Sequence, residues 1–463
     1  MADQLEFAGD YRLSEIVLLS SSDPIDLRPL MLELNLYESI HSPNMYGNLV
    51  IRDSANHKQN APIIGQEELE FTLAIPDNEI IDLTKYRMRV YKVDNIAETE
   101  EREQVYTLHF ITKEAFKNTK LTVQNAQEGP SEEIFKTIMR GLMETKKRLH
   151  VERTNTNFKV LGNNMRPYDF IRMVAKRSQS SQFESAGFLF YENHRGIHFR
   201  SWESLIRSGD RSRKIKEEYF VTPKGSVIDP AEDMKKVNSY EILKTQDVIA
   251  GHASGLFGSR LYNYNRINKS LSITNSNYIQ KFNKRNTTED RGFPFLPNNP
   301  EDATNKSYSD FANARIFVSS FDNALHTQSV TDEKNYDNNS SIHQDRLHDS
   351  LDHEQIVLSV SVPGNTNLAA GDLIKLNIPS YESIDTAADR IYDVYLSGRY
   401  IITEIVHSVN EVNYVTTFKC VRNDVLVPYP QTDESIEDRT NYTEPSKSSI
   451  DVLETTFVDD TEN

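Results

Sequence analysis

Residues 354–424 read EQIVLSVSVPGNTNLAAGDLIKLNIPSYESIDTAADRIYDVYLSGRYIITEIVHSVNEVNYVTTFKCVRND. Ile356, Leu358, Val360 and Val362 fall on one side of an extended chain, as do Ile374, Leu376 and Ile378. Alternation at period two is the pattern of a half-buried strand. Pro363-Gly364-Asn365 and Gly371-Asp372 supply turns. The stretch therefore predicts four antiparallel strands in about seventy residues, a small barrel or sandwich.

An earlier stretch has the same layout. Leu30, Leu32, Leu34 and Leu36 alternate, and so do Leu69, Phe71, Leu73 and Ile75. KYRMRVYKVDNI and QVYTLHFITKE follow as a strand pair around a charged turn. Gly65 opens one strand as Gly371 opens its counterpart, and Pro76 closes it as Pro379 closes the other. Tyr106 and Phe110 keep the spacing of Tyr414 and Phe418. Meanders of unrelated origin look alike, but here strand order, turn position and length agree together. That agreement predicts an internal duplication separated by roughly three hundred residues.

GNTNLAAGDLIKLNIPS (364–380), DVYLSGRYIITEIVHSV (393–409) and YVTTFKCVRND (414–424) resemble the C-terminal part of the baseplate central hub protein of T-even-type contractile-tailed phages. ESIHSPNMYGNLVIRDS (38–54) and PIIGQEELEF (62–71) resemble the first domain of the same family. The likeness covers roughly the first 245 residues and 345–428, and its motifs are specific in combination rather than singly. It implies two similar barrels in one chain, in keeping with the duplication. A helix before an aromatic strand, here Phe188 to Glu192, is similar to the family's middle domain.

The fold class expected is mainly β (α+β): two similar antiparallel, tail-tube-like β-barrel domains plus an α/β middle domain. Residues 1–116 make the first barrel. Residues 117–225 make a helix–helix–hairpin block. Ser131 is a natural N-cap there, with Glu132 and Glu133 in the first turn. A second helix starts at Pro167, and GFLFYENHRGIHFRSW (187–202) reads as a hairpin turning at Asn193 to Gly196. The second barrel is 226–249 and 346–428, interrupted by an insertion at 250–345; loops of that length normally carry an interface or a function. Residues 429–463 hold ten acidic and two basic side chains, which predicts a flexible acidic tail.

With 463 residues, the chain has room for two to four domains. A net charge of −17 argues against a nucleic-acid binder, which needs a basic footprint. The most basic run, RSGDRSRKIK (207–216), meets Glu217 and Glu218 at once and reads as a solvated loop in preference to an interface. Cys420 is the sole cysteine and shares a strand face with Tyr414 and Phe418, as a small buried hydrophobe would. No basic and apolar leader follows Met1, and no run approaches the length of a membrane span. These features predict a soluble protein without membrane insertion, made in a reducing cytoplasm, which the phage resemblance implies is the host's.

No catalytic, cofactor-binding or metal residue is expected. His343, His348 and His353, with Asp345, Asp349 and Asp352, are the densest His/Asp cluster. Steps of five turn a helix through about 140° beyond a full turn, so the three rings diverge and read as a polar helix surface. His194 and His198 flank a hairpin turn and stand isolated. Gly251, Gly255 and Gly258 lack a phosphate-loop lysine and read as a flexible connection. There is no G-x-S-x-G elbow, P-loop or dinucleotide fingerprint.

The resemblance implies a structural subunit of a virion tail baseplate and not an enzyme. It implies a homotrimer whose six barrels make a pseudo-six-fold ring joining the tail tube to the trimeric central spike. Partners would be the chain itself, the spike protein, tail-tube or tube-initiator proteins and other baseplate proteins. DNA would pass through the bore without specific binding. The alternatives are a baseplate-associated cell-wall hydrolase and the hub of a related contractile injection machine.

Overall fold

The structure is a computed structural model that describes residues 7–20, 24–54, 63–76, 78–100, 103–183, 185–208, 211–221, 230–265, 269–289, 308–319, 334–380 and 392–425. The protein is mainly β. Its first half contains β1 (Arg12–Leu19), β2 (Met31–Ser39), β3 (Tyr46–Asp53), β4 (Glu68–Ala74), β5 (Met88–Glu100) and β6 (Glu103–Thr112). The middle contains α1 (Ser131–Thr137), α2 (Pro167–Ala175) and the hairpin β7 (Phe188–Asn193) with β8 (Gly196–Ser201). The second half contains β9 (Glu218–Phe220), β10 (Ser239–Lys244), β11 (Gly258–Asn265), β12 (Ser270–Asn277), α3 (Lys334–Asp352), β13 (Ile356–Pro363), β14 (Leu373–Asn377), β15 (Gly398–Asn410) and β16 (Tyr414–Arg422).

Most alternating stretches form the strands expected of them, but Leu30 ends a 3-10 turn and β2 starts at Met31, with Leu34 and Leu36 buried and Leu32 half-buried. In β4 each of Leu69, Phe71 and Leu73 is buried while its neighbours are half-exposed. β13 repeats this with Ile356, Leu358 and Val360. Gly65 and Gly371 both turn the chain in the left-handed region, at φ +85 and +90. A side chain at Gly371 would also meet the Tyr191 hydroxyl, so that turn is doubly committed to glycine.

Strand order in the first half is β2-β3-β6-β5-β4-β1, and in the second half β10-β13-β16-β15-β14-β9. The two series agree place for place in sequence order. Two differences separate them. β1 runs antiparallel to β4, whereas β9 runs parallel to β14. The register inside the hairpins also differs: Phe110 faces Val90, but Phe418 faces Ile405. Bulges between Val90 and Lys92 and between Asp94 and Ala97 lengthen the first hairpin. The strand order is thus repeated, whereas the Tyr106/Tyr414 and Phe110/Phe418 equivalence is not kept by the pairing.

β2 and β15 then join the halves edge to edge, so that one sheet of fourteen strands runs through both. Among the described residues neither half closes on itself through strand pairing. The apolar core follows the same plan. One cluster lies under the first half and takes in Val409 and Tyr414 from the second. Another lies under the second half and takes in Ile40, with Tyr191, Trp202 and Leu205 from the middle. A third fills the middle block around Phe135, Phe170 and Phe199. At roughly 1.5–3 kcal/mol for each large side chain removed from water, these shared residues bind the segments firmly together.

In the middle block the N-cap of α1 is Pro130, and Ser131 is the first helical residue. The Ser131 hydroxyl donates to the Thr156 carbonyl instead of capping the helix, because Ser131 is buried beside it. The helix widens into a π turn over Ile138–Leu142. The expected acidic tail lies outside the described residues.

Candidate assembly interface

β15 is thirteen residues long and changes partner along its length. Its first residues pair with β14, from Leu376↔Gly398 to Leu373↔Ile401. A bulge between Ile402 and Glu404 follows, and then Glu404↔Ser39 through Asn410↔Glu33 pair with β2. A bulge bends a strand and re-aims its edge, which suits a handover between two sheets.

β5, the counterpart of β15 in the strand order, is also thirteen residues long. Only Met88 and Arg89 pair with β4, and beyond them β5 pairs with β6 alone among the described residues. The counterpart of β2 is β10, which pairs only with β13 among the described residues. So the seam between β15 and β2 is made, while its two counterparts each present an open edge. Apolar side chains are exposed there: Tyr91 and Ile96 on β5, Ile242 and Leu243 on β10. Open, apolar strand edges are templates for pairing with another chain.

The seam also buries a polar cluster. Glu38 comes from β2, His407 from β15 and His194 from the turn of the β7–β8 hairpin. Glu38 Oε1 accepts from the backbone N–H of His194 at 2.8 Å and lies 2.9 Å from His194 Nδ1. Glu38 Oε2 accepts from the N–H of Ala370 at 3.1 Å. Burial pushes the Glu38 carboxyl up, but the His194 and His407 imidazoles and these N–H groups outweigh it and hold it at about 2. His407 Nδ1 lies 2.6 Å from the Tyr414 hydroxyl, and burial holds that imidazole down at about 4. Sequence reasoning set His194 aside as isolated. Its partners lie 156 and 213 positions away, and only the β2–β15 pairing brings them together.

The insertion is pinned by the last strand's end. Arg422, wholly buried, donates through Nε to the Asp424 carbonyl and through Nη1 to the Ser397 carbonyl, each at 2.6 Å. Asp424 Oδ2 accepts from the Thr287 hydroxyl at 2.8 Å and from the Glu289 N–H at 2.7 Å. Asn423 donates to Asp352 at 2.7 Å, and Asp352 also accepts from the Tyr278 hydroxyl at 2.5 Å. The described part of this His/Asp cluster is therefore not the polar helix surface expected of it. His348, Asp349, Asp352 and His353 are all buried, and His353 stacks on Trp202 at 4.8 Å. Tyr278, Arg285 and Asn423 supply the polar partners that make this burial tolerable.

The other residues weighed from the sequence have structural surroundings. His198 bonds Asn193 at 2.9 Å and stacks between His150 and Tyr191. Gly255 is the left-handed residue that ends a short helix. Cys420 is buried, and burial pushes its thiol up. Lys147 lies between Glu114 and Glu192, all three buried, where burial outweighs the lysine and pushes Glu192 up to about 7. Among the described residues no helix is long and apolar enough to cross a membrane.

No family model matches the chain. The fold is similar to that of the tail protein from Neisseria meningitidis MC58, with a TM-score of 0.51 at 9% identity over 90% of this chain and 99% of that one. The 43 kDa tail protein of prophage MuSo2 from Shewanella oneidensis aligns at a TM-score of 0.48 and 10% identity, over 89% and 98% of the two chains. The likeness to the Neisseria protein is one of fold. The sequence adds a more particular relation, to the probable baseplate hub protein gp334 of Vibrio phage KVP40, which is 26% identical over 263 residues. That alignment spans 55% of this chain and about half, 56%, of the relative's length. The resemblance to phage baseplate hub proteins read from the sequence holds.

Proposed function

We propose that this chain is a structural, non-enzymatic central hub subunit of a contractile-tail baseplate, located in the virion tail. The observation that carries the reading is the repeated strand order with one seam made and its counterpart open. If β5 of one copy pairs with β10 of the next as β15 pairs with β2 within a copy, the contact is head-to-tail. Head-to-tail contacts give a closed ring when the rotation closes. Three copies then supply six similar halves, each a tail-tube-like barrel wall completed by its neighbours. The first half is the domain 1–116, and the second is 226–249 with 346–428. Residues 117–225 apart from β9, and the insertion 250–345, stand outside the repeat.

Such a ring adapts a six-fold tail tube to a three-fold spike, and its partners are those two components and other baseplate proteins. The net charge of −17 favours a bore that DNA crosses without adhering, since like charge repels the phosphate backbone. The hub of a related contractile injection machine would use the same geometry.

The test is assembly. Light scattering at micromolar concentration is expected to give about 160 kDa, three chains of 53.2 kDa. The double variant Ile96→Cys/Ile242→Cys is expected to oxidise to covalent trimers, each single variant to none. A monomer in solution together with no cross-link between those strands would overturn the reading.

A further inference from the structure

We propose that Glu38, His194 and His407 form a binding site for one divalent transition-metal ion of the zinc class. One potential ligand atom from each of the three lies within 4.8 Å of the other two. Two imidazoles and a carboxylate are a donor set that suits zinc and its neighbours among the transition metals. All three side chains are enclosed: Glu38 and His407 are buried, and the His194 side chain is 4% exposed.

Two observations point to a ligand rather than to a finished hydrogen-bond network. The Nε2 atom of His407 is buried and has no hydrogen-bond partner, while His194 faces Glu38 through Nδ1. Leaving such an atom unpaired is costly unless something bonds it. The outer contacts also match those that orient metal ligands. Tyr414 faces His407 Nδ1, so that the tautomer with Nδ1–H leaves the Nε2 lone pair free for a cation. Backbone N–H groups of His194 and Ala370 hold the Glu38 carboxylate in place.

Tetrahedral bonds of about 2.1 Å place ligand atoms about 3.4 Å apart. The Glu38–His194 contact of 2.9 Å would open by about half an ångström, and the widest separation in the group would close by up to about 1.4 Å. Small side-chain rotations supply both movements. The cation takes the place of the proton shared between Glu38 and His194 Nδ1, and that proton leaves to solvent. The site would cross-link β2, β15 and the β7–β8 turn, which belong to the two halves and the middle block. It does not depend on the assembly proposed above.

The purified full chain is stripped with chelator, reloaded with Zn²⁺, desalted and assayed by elemental analysis. In parallel, Co²⁺ is added and its visible absorption recorded. We expect about one equivalent of zinc, and a cobalt spectrum of a nitrogen- and oxygen-ligated tetrahedral ion. Glu38→Gln and His407→Gln are expected to retain less than roughly a tenth of that. His348→Gln, which removes a buried imidazole elsewhere, is expected to retain it in full. The wild-type chain settles the matter even where a variant fails to fold. Retention below roughly a tenth of an equivalent without a cobalt spectrum overturns the proposal, and so does wild-type retention by His407→Gln.

Discussion

Replacing Arg422 by Met tests the idea that a buried charge pair fixes the insertion to the end of the last strand. The guanidinium is fully buried and donates to two carbonyls at 2.6 Å, with Nη2 3.9 Å from Asp424 Oδ1 and the charge 5.2 Å above the Tyr400 ring. Removing one partner of such a pair costs about 3–5 kcal/mol, much of it from the charge left behind. Here that charge is Asp424. Burial pushes it up to about 6, and the Arg422 charge is the main influence holding it down. A carboxyl raised in the folded state contributes stability that is fully present below its unfolded pKa and is lost as pH rises through the folded value. Without Arg422 the folded value rises further, so the loss steepens above pH 6. At pH 5 Asp424 is already largely protonated and Arg422→Met strands no charge, leaving mainly two lost hydrogen bonds to carbonyls. The expected cost is therefore about 3–5 kcal/mol at pH 8 and less at pH 5, by about 1.4 kcal/mol for each unit of added shift. Urea unfolding followed by Trp202 reads it directly, because the sole tryptophan stacks on His353 at the end of α3. Asp424→Asn in the Arg422→Met background should recover much of the pH 8 loss and little at pH 5. Equal costs at both pH values, or simple additivity of the two changes, would refute the charge argument.

Three further outcomes follow from particular contacts. Gly47→Ala should destabilise the chain by about 1–3 kcal/mol, measured as a lower urea midpoint, because its Cβ would lie 2.3 Å from both the Asn35 carbonyl oxygen and the Phe110 ring. Glu203→Gln should stabilise at pH 8 by up to about 3 kcal/mol and far less at pH 5. Burial pushes Glu203 up to about 7, so its contribution is present below its unfolded pKa and lost as pH rises through 7, and glutamine keeps the bond from Asn286. Thermal melts at the two pH values check this, and a gain that does not grow with pH would count against it. Purified protein should release no fragments from peptidoglycan, as expected of a structural subunit; dye release from labelled cell walls would show otherwise.

The strands were legible because alternation is a local signal. Leu69, Phe71 and Leu73, or Ile356, Leu358 and Val360, need no distant partner to declare their buried face. Gly65 and Gly371 marked equivalent turns for the same reason, each serving a backbone conformation that is costly for other residues. Pairing between distant strands has no such signature. Nothing near Glu404 says that β15 leaves β14 there for β2, and so the Glu38–His194–His407 cluster stayed hidden. α3 failed in the opposite sense. Its histidines and aspartates look solvated in sequence, but Tyr278 and Asn423 arrive from elsewhere in the chain and let that face be buried. Ser131 had the sequence of a cap and lost the role to a competing acceptor, the Thr156 carbonyl.

The same contacts bear on how one chain would serve two symmetries. In the first half β2 passes to β3 through the short turn 40–45, whereas in the second half residues 245–355 separate β10 from β13. An insertion in one copy of a duplicated unit leaves the strands nearly six-fold in a ring of three and makes everything attached to the insertion three-fold. A six-fold partner must then engage surfaces that both halves share, and a three-fold partner those that only one half carries. This requires the insertion to be held rigidly against its half. Asn423 and Asp424 do so, by bonding Thr287, Thr288 and Glu289 of the insertion and Asp352 at the end of α3. Loosening those bonds with Asn423→Ala should leave the ring mass unchanged while raising amide exchange in β11, β12 and α3. Loss of the ring itself would mean that the insertion supports the repeat instead of decorating it, and the division of surfaces by symmetry would fail.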